Sequence, residues 1–171
     1  VADSTRILIL AWGNPGRRDD GLGPAAAAAL EALDVPGLTV TCDYQLTVED
    51  AAAVAECDVV VFVDAAIAGP EPFSFQRVTP GEGSSFSTHS VTPSQVLALA
   101  ADLFGARPTA WLLGIRGYEF DEFGESLSPA AQKNLVAAVG FLRHMVERGD
   151  FDGVAAAKEP ALVAASSKGV V

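Results

Sequence analysis

The chain has 171 residues, 50% of them hydrophobic, and 11 basic against 22 acidic side chains, for a formal charge of −11. That length and apolar content are enough for one hydrophobic core without disulfides or structural metals, which excludes general disorder. The acidic balance argues against phosphate backbones and anionic membranes as main partners, because binding them relies on Lys and Arg. Cys42 and Cys57 are isolated, which excludes a disulfide framework and a zinc knuckle and makes the cytoplasm the expected compartment. The polar opening leads into a short apolar run halted by Gly13-Asn14-Pro15-Gly16, unlike a cleavable signal. No window approaches the roughly 20 apolar residues that span a bilayer.

Arg6 to Trp12 is a continuous apolar run ending in a glycine-rich turn, the pattern of a strand buried on both faces. An alanine-rich helix is predicted over Pro24 to Leu33, just after Gly23, then a strand over Leu38 to Cys42 and a helix over Val48 to Glu56. Asp58 to Asp64 is the clearest strand, five apolar residues bracketed by two acids, with Asp64 at its end. Phe73 to Val78 alternates apolar and polar residues, as an edge strand with one solvated face does. After a Gly/Ser-rich loop from Thr79 to Ser90, Thr92-Pro93 opens a helix whose expected buried stripe is Val96, Leu97, Ala100, Leu103 and Phe104. Thr109 to Ile115 is a further strand. Ser128-Pro129 opens the last helix, where Leu135, Val139, Leu142 and Val146 recur at helical spacing before Gly149 stops it.

Strands alternating with helices imply an α/β fold, a three-layer α/β/α sandwich around a mainly parallel twisted sheet of about five strands, with one antiparallel edge strand. One domain is expected over residues 1–150. The Ala-rich segment 151–171 has no strong period and is expected to be a poorly ordered tail.

In open α/β sheets, functional groups gather beyond the carboxyl ends of the strands. That rule selects the loop from Gly13 to Gly23, Asp64, and His89 in the loop before the Thr92 helix. The glycines raise a phosphate-binding loop, but neither GxGxxG nor GxxxxGK[ST] occurs, and Asp19-Asp20 put carboxylates where a pyrophosphate needs N–H donors. Asp20, Asp64 and His89 converging from separate loops would make a site with open positions for a divalent transition metal. Each also has a plain reading: Asp20 favours the positive end of the first helix, Asp64 caps a turn, and His89 is an ordinary loop histidine. No nucleophile stands out, since there is no GxSxG elbow, Cys42 lacks a nearby His and Cys57 lies just ahead of a buried strand. Arg17-Arg18 suits the orientation of a carboxylate or C-terminus, or is a solvated loop pair.

Gly13-Asn14 with Asp19-Asp20-Gly21-Leu22-Gly23, then Val60-Val61-Phe62-Val63-Asp64-Ala65, then Ser87-Thr88-His89 followed by Leu97, then Leu113-Gly114-Ile115 before Leu127-Ser128, span Arg6 to Met145. In this order they resemble the hydrogenase maturation proteases, endopeptidases that trim the C-terminus of the large subunit of nickel-iron hydrogenases. The resemblance implies a single maturation-protease domain with a twisted five-stranded sheet between helices. It implies a nickel-recognising and catalytic site on Asp20, Asp64 and His89, with the nickel contributed by the large-subunit precursor that is the partner. Substrate contacts are expected at Asn14, Arg17, Asp43, Tyr44 and Gln45, and a monomer is expected, with no nucleic acid or membrane partner. Pro15-Gly16 stands where many members have an apolar pair, and Tyr44 to Asp50 replaces a Gly-Thr-rich segment.

Gly13-Asn14-Pro15-Gly16 also looks like the opening of peptidyl-tRNA hydrolases. That family needs a catalytic histidine followed by an asparagine a few residues on; Arg17 to Gly21 supplies neither, and a charge of −11 disfavours tRNA. A non-enzymatic nickel-site-binding chaperone would use the same acids and histidine without turnover.

Overall fold

A run such as Ile7-Leu8-Ile9-Leu10 carries apolar side chains on both faces of a strand, so it is stable only inside a sheet covered on two sides. The computed structural model, which describes residues 4–81 and 91–153, provides that setting. The elements are β1 (Ile7–Trp12), a 3-10 turn (Arg18–Gly21), α1 (Leu22–Glu31), β2 (Leu38–Asp43), α2 (Asp50–Ala55), β3 (Val59–Ala66), β4 (Phe73–Val78), α3 (Pro93–Phe104), β5 (Thr109–Arg116) and α4 (Pro129–Arg148). The sheet order is β2-β1-β3-β5-β4. β1 runs parallel to β2 and β3, β3 runs parallel to β5, and β4 closes the far edge antiparallel to β5, as the alternation in Phe73 to Val78 led us to expect.

Side chains alternate between the two faces along each strand. Ile7, Ile9, Val61, Val63 and Leu113 face α1 and α4 and form one core with Leu22, Leu30 and Leu142. Leu8, Leu10, Val60 and Phe62 form the second core with Val54 of α2 and Val96 and Leu97 of α3. The result is the three-layer α/β/α order predicted from the sequence. Among the described residues no helix is long and apolar enough to cross a membrane.

Local signals set the helix ends. Thr92 Oγ1 accepts the Gln95 N–H at 3.3 Å while the Gln95 side chain accepts the Thr92 N–H at 2.9 Å, with Pro93 in the first turn. Ser128 caps α4, and Gly105 and Gly149, both at φ +66, end α3 and α4 in the left-handed conformation that glycine adopts without steric cost. α1 begins at Leu22 rather than at Pro24. Proline is tolerated there because the first turn has no intrahelical use for its missing N–H.

Three expectations change. β3 does not end at Asp64: it continues through Ala66, pairing Asp64 with Gly114, Ala65 with Ile115 and Ala66 with Arg116 of β5. Its pairing with β1 stops one residue earlier, at Ala11 and Val63, so Asp64 is the first β3 residue beyond the reach of β1. In α3, Val96, Leu97 and Ala100 are buried as expected, but Leu103 is 67% and Phe104 55% exposed. The neighbouring α2 is only six residues long and mostly alanine, too short to cover the last turn of α3. Phe151, the first residue of the expected tail, is buried in the core shared by α1 and α4; residues 154–171 lie outside the described residues.

Candidate functional site

Because β1, β2, β3 and β5 are mutually parallel, their carboxyl ends share one edge of the molecule. The loop leaving β1 is folded tightly back on itself. Gly13 has φ +144, and a side chain there would collide with the backbone of Asp20. A methyl on Gly23 would meet the Trp12 carbonyl, so this glycine lets the start of α1 close on the end of β1. The loop is tied across by the Asn14 N–H, which donates to Asp20 Oδ2 at 2.9 Å, while Asn14 Oδ1 accepts the Gly16 N–H at 2.9 Å. Asp20 is thereby held half-buried on the 3-10 turn, beside β3.

Asp64 is also half-buried, and its Oδ1 accepts the Ala65 N–H at 2.8 Å. Burial pushes its carboxyl up to about 6, and the charge of Asp20 adds to the rise, against the Ala65 N–H and the Trp12 side chain. The structure therefore brings two of the three predicted ligands into mutual range. Two like charges, one of them desolvated, suit a dication, which would relieve both costs. Among the described residues no three His, Cys, Asp or Glu side chains converge as a metal site. His89, the third predicted member, lies outside the described residues.

The raised value has a consequence for stability. The folded protein holds the Asp64 proton up to about pH 6, whereas an ordinary aspartate releases it near 3.8. This group thus adds stability below the unfolded value that is lost as pH rises through about 6. Asp64→Asn is expected to raise the melting temperature at pH 7 and to flatten its dependence between pH 4 and 6. Calorimetry across that range checks it, and an unchanged slope would refute the strain assigned to the pair.

The adjacent acid does something different. Asp19 is fully buried; its Oδ2 accepts from the Tyr118 N–H at 2.8 Å, the Glu119 N–H at 3.0 Å and the Ser128 hydroxyl at 2.7 Å, and its Oδ1 from the Ser128 N–H at 2.7 Å. Burial alone would raise its pKa, but these bonds from Ser128, Glu119 and Tyr118 outweigh it and hold the carboxyl below the usual range. Arg18, at φ +50, pairs with Glu119 and donates to Ser126 Oγ at 2.7 Å. The Arg18 N–H donates to the Gly124 carbonyl at 2.8 Å, and the Gly124 N–H to the Gly16 carbonyl at 2.9 Å. The segment Tyr118 to Ser128 is in this way sewn to the glycine-rich loop. Sequence reading did not assign Asp19 this role. The available signal was that adjacent residues on a 3-10 turn point about 120° apart, so one acid of the pair had to turn away from the other.

The predicted substrate contacts divide. Asn14 is used inside the loop. Arg17 is exposed, its guanidinium 5.7 Å from the centre of the Phe123 ring, which is itself 87% exposed. Asp43 ends β2 opposite Trp12, its carbonyl accepting the Gly13 N–H at 3.1 Å and its carboxylate the Tyr44 N–H at 2.6 Å. Tyr44 and Gln45 follow it, both exposed. A cleft of about 490 Å³ beside the loop is lined by Pro15, Gly21, Leu127 and Gln132 but by neither Asp20 nor Asp64, and is thus separate from the acid pair. The cysteines are not activated. Burial, with Asp43 and Glu31 nearby, raises the Cys42 thiol, and burial with Asp58 nearby pushes Cys57 up to about 11.

No family model matches the chain. It is 32% identical over 143 residues to the hydrogenase expression/formation protein HupD of Thiocapsa roseopersicina, a match covering 78% of this chain and 64% of HupD. Its fold is shared with the [NiFe] hydrogenase maturation protease HycI of Thermococcus kodakarensis, at TM-score 0.65 and 24% identity over 85% of this chain and 95% of HycI. The hydrogenase maturating endopeptidase HybD of E. coli gives TM-score 0.65 and 22% identity over 84% of this chain and 94% of HybD. The chain thus spans less than two thirds of the length of HupD, and its likeness to HycI and HybD is one of fold.

Proposed function

We propose that this protein is an endopeptidase of hydrogenase maturation, which removes the C-terminal extension from the nickel-loaded precursor of a nickel-iron hydrogenase large subunit. The observation that carries the reading is the Asp20–Asp64 pair on the carboxyl edge of a sheet shared in its fold with HycI and HybD. The precursor's nickel supplies Lewis-acid polarisation of a peptide carbonyl and of water. Asp20 and Asp64 supply the negative charge that selects a loaded precursor over an empty one, with His89 as the third ligand. Asn14 holds Asp20 through its N–H. Arg17, Asp43, Tyr44 and Gln45 form the rim that meets the substrate. The protein acts in the cytoplasm, as a monomer, without nucleic acid or membrane.

The test is incubation of the purified protein with the large-subunit precursor from its own host, with and without nickel, reading the precursor's C-terminus by mass spectrometry. Nickel-dependent loss of one defined tail is expected. A precursor that binds but stays intact would make the acid pair a docking device and the protein a nickel-site chaperone. A precursor that neither binds nor is cut would overturn both readings.

A further inference from the structure

Among the described residues, the sheet leaves one edge bare beside the acid pair. In β2, the Gly37 carbonyl accepts the Ile7 N–H at 2.8 Å and the Asp43 carbonyl accepts the Gly13 N–H at 3.1 Å, so the odd-numbered residues direct their backbone groups at β1. Alternate residues of a strand point theirs to opposite edges. The N–H and C=O groups of Val40 and Cys42 therefore face away from the sheet, and among the described residues nothing bonds to them. The Leu38 N–H is taken by the Val35 carbonyl at 3.1 Å, which leaves the stretch from the Leu38 carbonyl to the Cys42 carbonyl open.

Natural edge strands are usually blunted by lysine, proline or a bulge. β2 has none of these, while the opposite edge, β4, carries Arg77 tied to Asp152. The bare edge also points at the site, because β2 ends at Asp43, level with Trp12, where the glycine-rich loop begins. On its α2 side the strand adjoins a groove lined by Thr39, Thr41, Ala53 and Glu56, with room for the alternate side chains of an added strand. The balance of charge is acidic: Glu31 and Asp43 both bear on Cys42, and of the two charged residues lining the groove, Glu56 and Arg6, the arginine is already paired with Asp58 at 2.7 Å.

We propose that the outer edge of β2 binds an extended, basic segment of the precursor as an added sheet strand and leads it to the Asp20–Asp64 pair. This rests on the proposed function. Backbone hydrogen bonds supply affinity in strand addition and alternate side-chain sites supply selectivity. The acidic flank selects for cationic side chains in a precursor segment.

Two measurements on the full chain test it. The first follows amide exchange of the unsubstituted protein with nickel-loaded precursor in excess, where the Val40 and Cys42 amides are expected to become protected. The second is Val40→Pro, which deletes one outward N–H without touching the β1 ladder, a position where edge strands tolerate proline. It is expected to raise KM for the precursor about 5- to 10-fold with kcat unchanged, the size of one lost hydrogen bond. Cleavage by the unsubstituted protein reports on the proposed activity, and protection of these two amides reports on the edge. If cleavage proceeds while Val40 and Cys42 exchange as in the free protein, or folded Val40→Pro keeps its KM, the edge proposal is overturned and the activity stands. If the precursor binds uncut with both amides protected, the edge proposal stands and the protease reading falls.

Discussion

Asp20→Ala is expected to slow cleavage of nickel-loaded precursor by about 10³-fold or more, because polarisation by a held metal is worth several kcal/mol of transition-state stabilisation. The alanine removes one of the two carboxylates that the structure brings together, and with it negative charge that, on the proposed function, receives the precursor's metal. It also removes the acceptor for the Asn14 N–H, a loss of about 1 kcal/mol in a half-buried loop. Activity should therefore fall far more than stability. A second readout follows from the same geometry: Asp20 helps to raise the Asp64 carboxyl, so its removal should move Asp64 back toward the ordinary aspartate range. Single-turnover cleavage read by mass spectrometry, beside a titration of Asp64 by NMR, checks both. Cleavage at the normal rate would remove Asp20 from the mechanism.

The neighbouring substitution should behave in the opposite way. Asp19→Ala leaves the buried Ser128 N–H and hydroxyl and the part-buried Tyr118 and Glu119 N–H groups without their acceptor. Breaking such a buried, charge-assisted set costs about 3–5 kcal/mol. For a chain of this size that corresponds to a melting temperature lower by about 10 °C. The pH dependence gives the sign independently. The folded carboxyl titrates below the unfolded one, so its contribution is present above the ordinary value of 3.8 and is lost as pH falls through the depressed folded value. Asp19→Asn should accordingly shrink the acid limb of the stability curve, measured by thermal denaturation from pH 2 to 7 on the scale that pKa shift defines. A melting temperature unchanged by Asp19→Ala would contradict the anchoring role. Two acids adjacent in the chain are thus predicted to separate cleanly, one acting on the reaction and the other on the fold.

Much of this was legible in the chain itself. Continuous runs such as Ile7 to Leu10 and Val59 to Val63 can be buried only in a parallel sheet covered on both faces, and the alternation of Phe73 to Val78 marks the solvated edge. Thr92-Pro93 and Ser128-Pro129 carry their own capping chemistry, so α3 and α4 start where the sequence says they start. The rule that sites lie beyond strand carboxyl ends selects the loop after β1 and Asp64, although β3 runs on to Ala66 and only its pairing with β1 stops before Asp64.

What the chain did not disclose depends on which element lies opposite which. Asp64 lies inside β3 rather than at its end because β5 keeps pairing after β1 has stopped. Leu103 and Phe104 follow the apolar spacing of α3 yet stay exposed, because the facing α2 is too short and too small to cover them. Asp19 is inside and Asp20 half outside because a segment about 100 residues further along brings three N–H groups and a hydroxyl to one of them only. Periodicity and capping are local, and a residue's own neighbours in sequence determine them; burial, pairing length and charge proximity are set by distant segments, and only the tertiary structure decides those.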